Sequence, residues 1–397
     1  MGDPQRAMPI LTLAPGREAR LLGGHPWIYR SEIARIDGDA PPGAVAEIHD
    51  HRGKPLGRAM VNLRSQIAAR LLTREAEEID PPFFARRLRA AALRPGRSLT
   101  GPDACRLVFG EGDHLPGLIV DRFADLLVLQ LLTAGMDRQR DTLTQALVEL
   151  ARPRAIYERS DASVRQLEGL PLRKGFLVGG GETGVWIAEE GIAFLAEVAE
   201  GQKTGFFLDQ RENRHLVRQR ARGRTVLDCF CYAGGFSVSA AAGGAQHVLG
   251  LDLSEQAVGW ARQAAARNGV SERCLFEVAN VFDRLRAFDK ENRRFDLVIL
   301  DPPAFTKGRE SIEGALRGYK EINLRAMRLL PPGGLLVTCS CSYHIDPPTF
   351  LEMLRGAAAD VRREFRVVDL RTQAADHPIL LAAKETQYLK CVILEAV

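Results

Sequence analysis

No apolar run in this 397-residue chain reaches the ~18 residues of a bilayer-spanning helix, and Met1-Gly2-Asp3-Pro4-Gln5-Arg6 lacks the apolar core of a secretory leader. Neither a membrane anchor nor export is expected, which points to the cytoplasm. Seven cysteines, an odd number scattered along the chain, give no disulfide framework. Two Cys-x-Cys pairs, Cys229/Cys231 and Cys339/Cys341, are too closely spaced for the usual zinc sites, so no metal is expected. A formal charge of +4 is too small for the length to argue for any partner, and 46% hydrophobic with 26% charged residues excludes a largely disordered chain. The length itself excludes a single small core and implies two or three domains.

What is present is positive charge gathered locally. Between Pro81 and Arg97 stand Arg86, Arg87, Arg89, Arg94 and Arg97 with no acid among them. A second group comprises Arg211, Arg214, Arg218, Arg220, Arg222 and Arg224. Each reads either as a solvated helix face or, more sharply, as a surface that tracks phosphates.

Three segments differ in pattern. Residues 1–75 alternate short β-like runs with glycine turns and predict a small β-barrel. Residues 76–190 predict a connecting α+β domain, with a helix opening at Pro81-Pro82 and strands at 126–132 and 155–158. Residues 191–397 alternate strand and helix, the pattern of a doubly wound parallel sheet. Strands are expected at 225–228, 248–252, 275–278, 295–301 and 335–339. The last two, at 365–370 and 388–394, are too close for a crossover helix and should pair antiparallel. Such a sheet is that of Rossmann-like class I methyltransferases rather than dehydrogenases.

In open α/β sheets ligands lie beyond the carboxyl ends of the strands. The first strand ends in Asp228-Cys229-Phe230-Cys231-Tyr232-Ala233-Gly234-Gly235, a turn without the Gly-x-Gly-x-x-Gly spacing that seats a pyrophosphate. A nucleoside carrying an amino-acid end fits it better. Asp252 closes the second strand where a carboxylate accepts from two ribose hydroxyls, Asn280 follows the third where it can meet an adenine edge, and Asp301 ends the fourth. Any one of these could be a helix cap. Together they predict S-adenosylmethionine, with contacts from Asp228, Phe230, Tyr232, Gly234, Asp252, Leu253, Asn280 and Asp301.

Two thiols end the fifth strand in Cys339-Ser340-Cys341-Ser342, and on a continuing strand both would face the same side. The later one lies nearer the strand end. Gly16-Arg17-Glu18-Ala19-Arg20 through Trp27-Ile28-Tyr29 resembles the opening of a PUA domain, a small RNA-binding barrel. That segment, Lys203-Thr204-Gly205-Phe206-Phe207-Leu208-Asp209-Gln210-Arg211, Asp301-Pro302-Pro303-Ala304-Phe305 and Ser340-Cys341-Ser342 together resemble the PUA-containing bacterial 23S rRNA cytosine-5 methyltransferases over nearly the whole chain. The resemblance implies that Lys203, Thr204 and Gln210 lie at the methionine end of the cofactor and that Cys341 is the nucleophile, with Asp301 its acid partner and Cys339 packing.

Cytosine C5 attacks a methyl sulfonium only after a thiolate has added to C6, which is why the chemistry needs a cysteine. Many RNA cytosine-5 enzymes carry a second cysteine after the Asp-x-Pro of strand four, whereas here Ala304 follows. The expected partner is 23S rRNA before full ribosome assembly, held by Arg17, Arg20, Arg86, Arg87 and Arg89; a homodimer is compatible with this reading. Two alternatives stay open. Asp-Pro-Pro-Ala-Phe also resembles the turn of enzymes that methylate exocyclic amines, implying a guanine or adenine N-methyltransferase. The other is a non-catalytic RNA-binding protein with a vestigial cofactor domain.

Overall fold

The structure is a computed structural model that describes residues 8–101, 103–305 and 311–397. Short apolar runs separated by turns form β1 (Ile10–Leu13), β2 (Trp27–Tyr29), β3 (Ile33–Asp37), β4 (Ala44–His49), β5 (Pro55–Val61) and β6 (Ile67–Thr73). They make one sheet in the order β2-β6-β5-β4-β1-β3, antiparallel except where β1 meets β4. Leu11, Leu13, Ile28, Ile48 and Val61 fill its interior.

A second sheet contains β7 (Ala104–Phe109), β8 (Leu118–Phe123), β9 (Leu126–Leu131), β10 (Ala155–Ser160) and β11 (Arg173–Val178), in the order β11-β10-β9-β8-β7. Only β9 and β10 run parallel, because the helix Arg140–Ala151 makes the crossover between them. The helix Pro81–Ala92 starts where Asp80 accepts the Phe83 N–H, and it buries Phe83, Phe84 and Leu88. These side chains join Met60 and Leu72 of the first sheet in one core, and Trp27 Nε1 donates to Glu111 at 2.8 Å. A hairpin of β12 (Gly184–Glu189) and β13 (Ile192–Glu197) follows.

The third large sheet has seven strands: β14 (Thr225–Cys229), β15 (His247–Asp252), β16 (Cys274–Val278), β17 (Leu297–Leu300), β18 (Leu335–Ser340), β19 (Phe365–Arg371) and β20 (Lys390–Ala396). Their order is β16-β15-β14-β17-β18-β20-β19, with β14 to β18 parallel and β20 antiparallel to both neighbours. The expected strands and the antiparallel final pair are therefore present. Continuous apolar runs such as Leu297–Leu300 are buried on both faces by flanking helices, as parallel strands require. The strand order reverses at β14 and β17, which opens the ligand crevice at their carboxyl ends.

The chain divides into two compact units. One contains Met1–Val185, Glu197–Gly205 and Ala375–Thr386; the other contains Trp186–Ala196, Phe206–Ala374 and Gln387–Val397. The late segment belongs to the first unit because Asp376 accepts the Arg106 N–H through Oδ2 and the Arg97 guanidinium through its carbonyl, both at 2.9 Å.

Candidate active site

Asp228 closes β14 with 0% exposure. The Ser237 hydroxyl donates to its Oδ2 at 2.6 Å, while Oδ1 has no hydrogen-bond partner among the described residues. Burial, with the charges of Asp301 and Asp252, pushes this carboxyl up to about 7 against the Ser237 hydrogen bond. A carboxyl whose ionisation two acidic neighbours oppose, with an orphaned oxygen, suits a ligand bearing ammonium and sulfonium charge. The donor set thus fits S-adenosylmethionine.

The turn after Asp228 holds three residues in the left-handed region: Phe230 (φ 66°), Tyr232 (φ 47°) and Gly234 (φ 77°). Two of them carry side chains, and such strain persists only where surroundings enforce it. The Tyr232 N–H donates to Asp252 Oδ2 and the Cys231 N–H to the Leu251 carbonyl, each at 2.9 Å. A Cβ on Gly234 would lie 2.9 Å from that of Ala261, so only glycine fits. The other Asp252 oxygen accepts the Ser254 N–H at 2.9 Å, which fixes the carboxylate's orientation. Leu253 is 73% exposed beside it, an apolar face for a nucleobase.

Asn280 differs from its expected form. Its Oδ1 caps the helix Val281–Lys290, accepting the Phe282 N–H at 2.9 Å and the Asp283 N–H at 3.4 Å. Its amide nitrogen, rather than that oxygen, is the group left to meet a base edge. Gln210 donates to Asp301 Oδ1 at 2.9 Å, Asn213 donates to Gln210 Oε1 at 2.6 Å, and the Arg371 Nε donates to Asn213 Oδ1 at 2.9 Å. This relay orients Asp301. The Lys203–Gln210 segment does not act as one body: Lys203 is exposed with φ 52°, and the buried Thr204 hydroxyl donates to Asp121 at 2.6 Å within the first unit.

Register defines the other half of the site. β17 and β18 run parallel with Leu300 opposite Thr338, so Asp301 and the Cys339–Ser342 segment leave adjacent strand ends. Of the seven cysteines six are buried, and Cys341 is the one partly exposed. Cys339 points its thiol at Cys391, directly opposite on β20; that hydrogen bond and burial push it well above the usual thiol range. Burial does the same to Cys229 and Cys231 and pushes Cys274 up to about 12. Cys341 lies just past β18 in a loop pinned from two sides. Lys390 donates from Nζ to the carbonyls of Ser342 at 2.7 Å and Tyr388 at 2.9 Å. The Tyr319 and Ser342 hydroxyls share a hydrogen bond of 2.9 Å.

Several arginines of the clusters, and Arg20, are paired with acids. Arg20 pairs with Glu32 and stacks on Tyr29, and Arg86 and Arg87 both face Glu77. Arg94 and Arg97 hold Asp113, and Arg214 chelates Glu189. Arg17 and Arg89 are exposed. The structure adds a groove that the sequence did not suggest, lined by Tyr29, Arg30, Ser31, Arg64, Ser65 and Gln66. Among the described residues no group of three or more His, Cys, Asp or Glu side chains could hold a metal, and no helix is long and apolar enough to cross a membrane.

Comparison with known proteins matches residues 113–372 to the S-adenosylmethionine-dependent methyltransferase family and residues 11–74 to a PUA-like domain. The chain is 44% identical over 385 residues to Ribosomal RNA large subunit methyltransferase I of Erwinia tasmaniensis, covering 96% of this chain and 97% of that protein. It is 43% identical over 393 residues to the protein of the same name from Aeromonas hydrophila, covering 97% and 98%. A solved structure described as a SAM-dependent methyltransferase from Streptococcus mutans shares the fold at a TM-score of 0.82 and 20% identity, over 97% of this chain and 99% of that one. With the cofactor cradle at β14 and β15 and matches over most of its length, this chain belongs to the S-adenosylmethionine-dependent methyltransferase family and carries an N-terminal PUA-like domain.

Proposed function

We propose that the protein methylates C5 of a cytidine in 23S rRNA through a covalent adduct between Cys341 and C6. The observation that carries this reading is a single partly exposed thiol beside Asp301 at adjoining strand ends, with six other cysteines buried. The names of the relatives support an rRNA of the large subunit as substrate.

The Cys341 thiolate adds to C6, and the C5–C6 π pair moves through the ring toward N3. Asp301, oriented by the Gln210 N–H on its Oδ1, gives N3 a proton as that charge arrives. Bound S-adenosylmethionine supplies an electrophilic methyl group. The electron-rich C5 takes that methyl, and S-adenosylhomocysteine leaves. The N3 proton returns to Asp301, and loss of the C5 proton then gives the C5–H electron pair to C5=C6 and expels the Cys341 sulfur as thiolate. The turn after β17 offers Ala304 where a second thiol would stand, so the C5 proton is assigned to a water beside Asp301.

The target base must leave its stack to reach this crevice, which favours unstacked rRNA not yet buried in an assembled particle. Arg17 and Arg89, with the Tyr29–Arg30–Arg64 groove, are the proposed phosphate contacts, and the acid-paired Arg20, Arg86 and Arg87 contribute less. Bisulfite sequencing of 23S rRNA from cells with and without the gene tests the product. Loss of one 5-methylcytosine is expected. Unchanged 5-methylcytosine with another methyl mark lost would select the N-methyltransferase instead, an activity that does not need Cys341.

A further inference from the structure

We propose that Lys390 is the positioning residue of Cys341: a buried cation on the neighbouring strand that holds the thiol's loop and stabilises its anion without touching substrate. The inference rests on the reading of Cys341 as nucleophile.

β20 runs antiparallel to β18 with Lys390 opposite Ser340, one residue before Cys341. Lys390 is 5% exposed in a strand otherwise filled with Cys391, Val392, Ile393 and Leu394. An ammonium in such a strand is costly unless something there needs its charge. Two of its N–H groups go to the Ser342 and Tyr388 carbonyls. Its bond to Ser342 ties it to the loop that presents Cys341.

The charged groups around it agree. Burial lowers its proton affinity to about 8, opposed by the negative charge of Cys341 and Asp346, so the ammonium persists at neutral pH and the thiolate favours it reciprocally. Tyr319, reaching in from the helix Ile312–Leu329, is held neutral because burial raises its phenol above the usual range. Cys339 stays a thiol. Asp346 at the start of the helix Pro347–Asp360 is the anion that opposes a second negative charge, while Asp301 at the end of β17 carries the proton that it gives to N3. Lys390 is the cation that offsets Asp346. It is no general base, because its N–H groups are directed at carbonyl oxygens.

The test is the pH profile of iodoacetamide alkylation at Cys341, read by peptide mass spectrometry on the full chain, for wild type, Lys390→Met and Lys390→Arg. Burial of the other six thiols makes the label selective. Thermal melting and S-adenosylmethionine calorimetry report whether each variant is folded. Lys390→Met is expected to raise the alkylation midpoint by about one pH unit and to slow labelling at pH 7 about tenfold. Its kcat should fall in parallel with little change in KM for RNA, and Lys390→Arg should keep the wild-type midpoint. An unchanged midpoint in folded Lys390→Met, or a Lys390→Arg profile displaced like that of Lys390→Met, overturns the proposal. If Lys390→Met does not fold, the wild-type profile decides: a midpoint at or above the ~8.5 of a free thiol overturns it. Full turnover in Cys341→Ala would remove the nucleophile reading alone, since the alkylation midpoint reports the cation's action on the thiol independently of catalysis.

Discussion

Two Cys-x-Cys segments end neighbouring regions of one sheet, Cys229-Phe230-Cys231 after β14 and Cys339-Ser340-Cys341 across the end of β18, and they do opposite things. In the first, both thiols are buried and chemically silent, and the backbone does the work: left-handed Phe230 and Tyr232 aim an N–H at Asp252. In the second, one thiol is buried against Cys391 while the other emerges beside a buried ammonium and an acid-bearing strand end. Burial and neighbours, not the motif, set the two segments apart.

The largest test of this contrast exchanges the thiols' fates. Cys341→Ala should lower kcat by at least ~10³-fold with S-adenosylmethionine affinity retained, whereas Cys231→Ala should leave kcat within about threefold; single-turnover methylation with calorimetry measures both. Asp301→Asn should cost ~10²-fold or more in kcat, because the amide cannot supply a proton to N3, and RNA binding by filter retention should hold. Gly234→Ala strains a left-handed turn and drives a Cβ against Ala261, so a loss of about 2 kcal/mol in denaturant stability is expected, with weaker cofactor binding.

A fourth test is pH. Asp228 has a folded carboxyl raised to about 7, above its unfolded ~3.9. The folded state therefore holds the extra proton between these values, and its contribution to the ligand-free protein's stability fades as pH rises through about 7. A cationic cofactor prefers the ionised form, so its affinity should tighten up to about tenfold from pH 6 to 8. Calorimetry should find that slope flattened in Asp228→Asn.

The acids at the strand ends and the antiparallel last pair were legible because strand order and strand ends follow local pattern. Less legible were groups brought together across long separations. Gln210 reaches Asp301 over 91 positions and Arg371 reaches Asn213 over 158, and no local spacing announces either. Lys390 sits inside a run that reads as core. The arginines' partners Glu77, Asp113 and Glu189 were not legible because they lie outside the arginine runs. The cap made by Asn280 was open from the sequence, since a residue that caps a helix and one that meets a base occupy the same place after a strand.

The central claim is that Cys341 alone forms the bond to the target base. RNA carrying 5-fluorocytidine at the target blocks loss of the C5 substituent, so incubation with S-adenosylmethionine should trap a complex that survives denaturation. Peptide mapping should place the RNA on Cys341, and Cys341→Ala should give no complex. A trapped adduct on another residue, or one that persists in Cys341→Ala, would contradict the account.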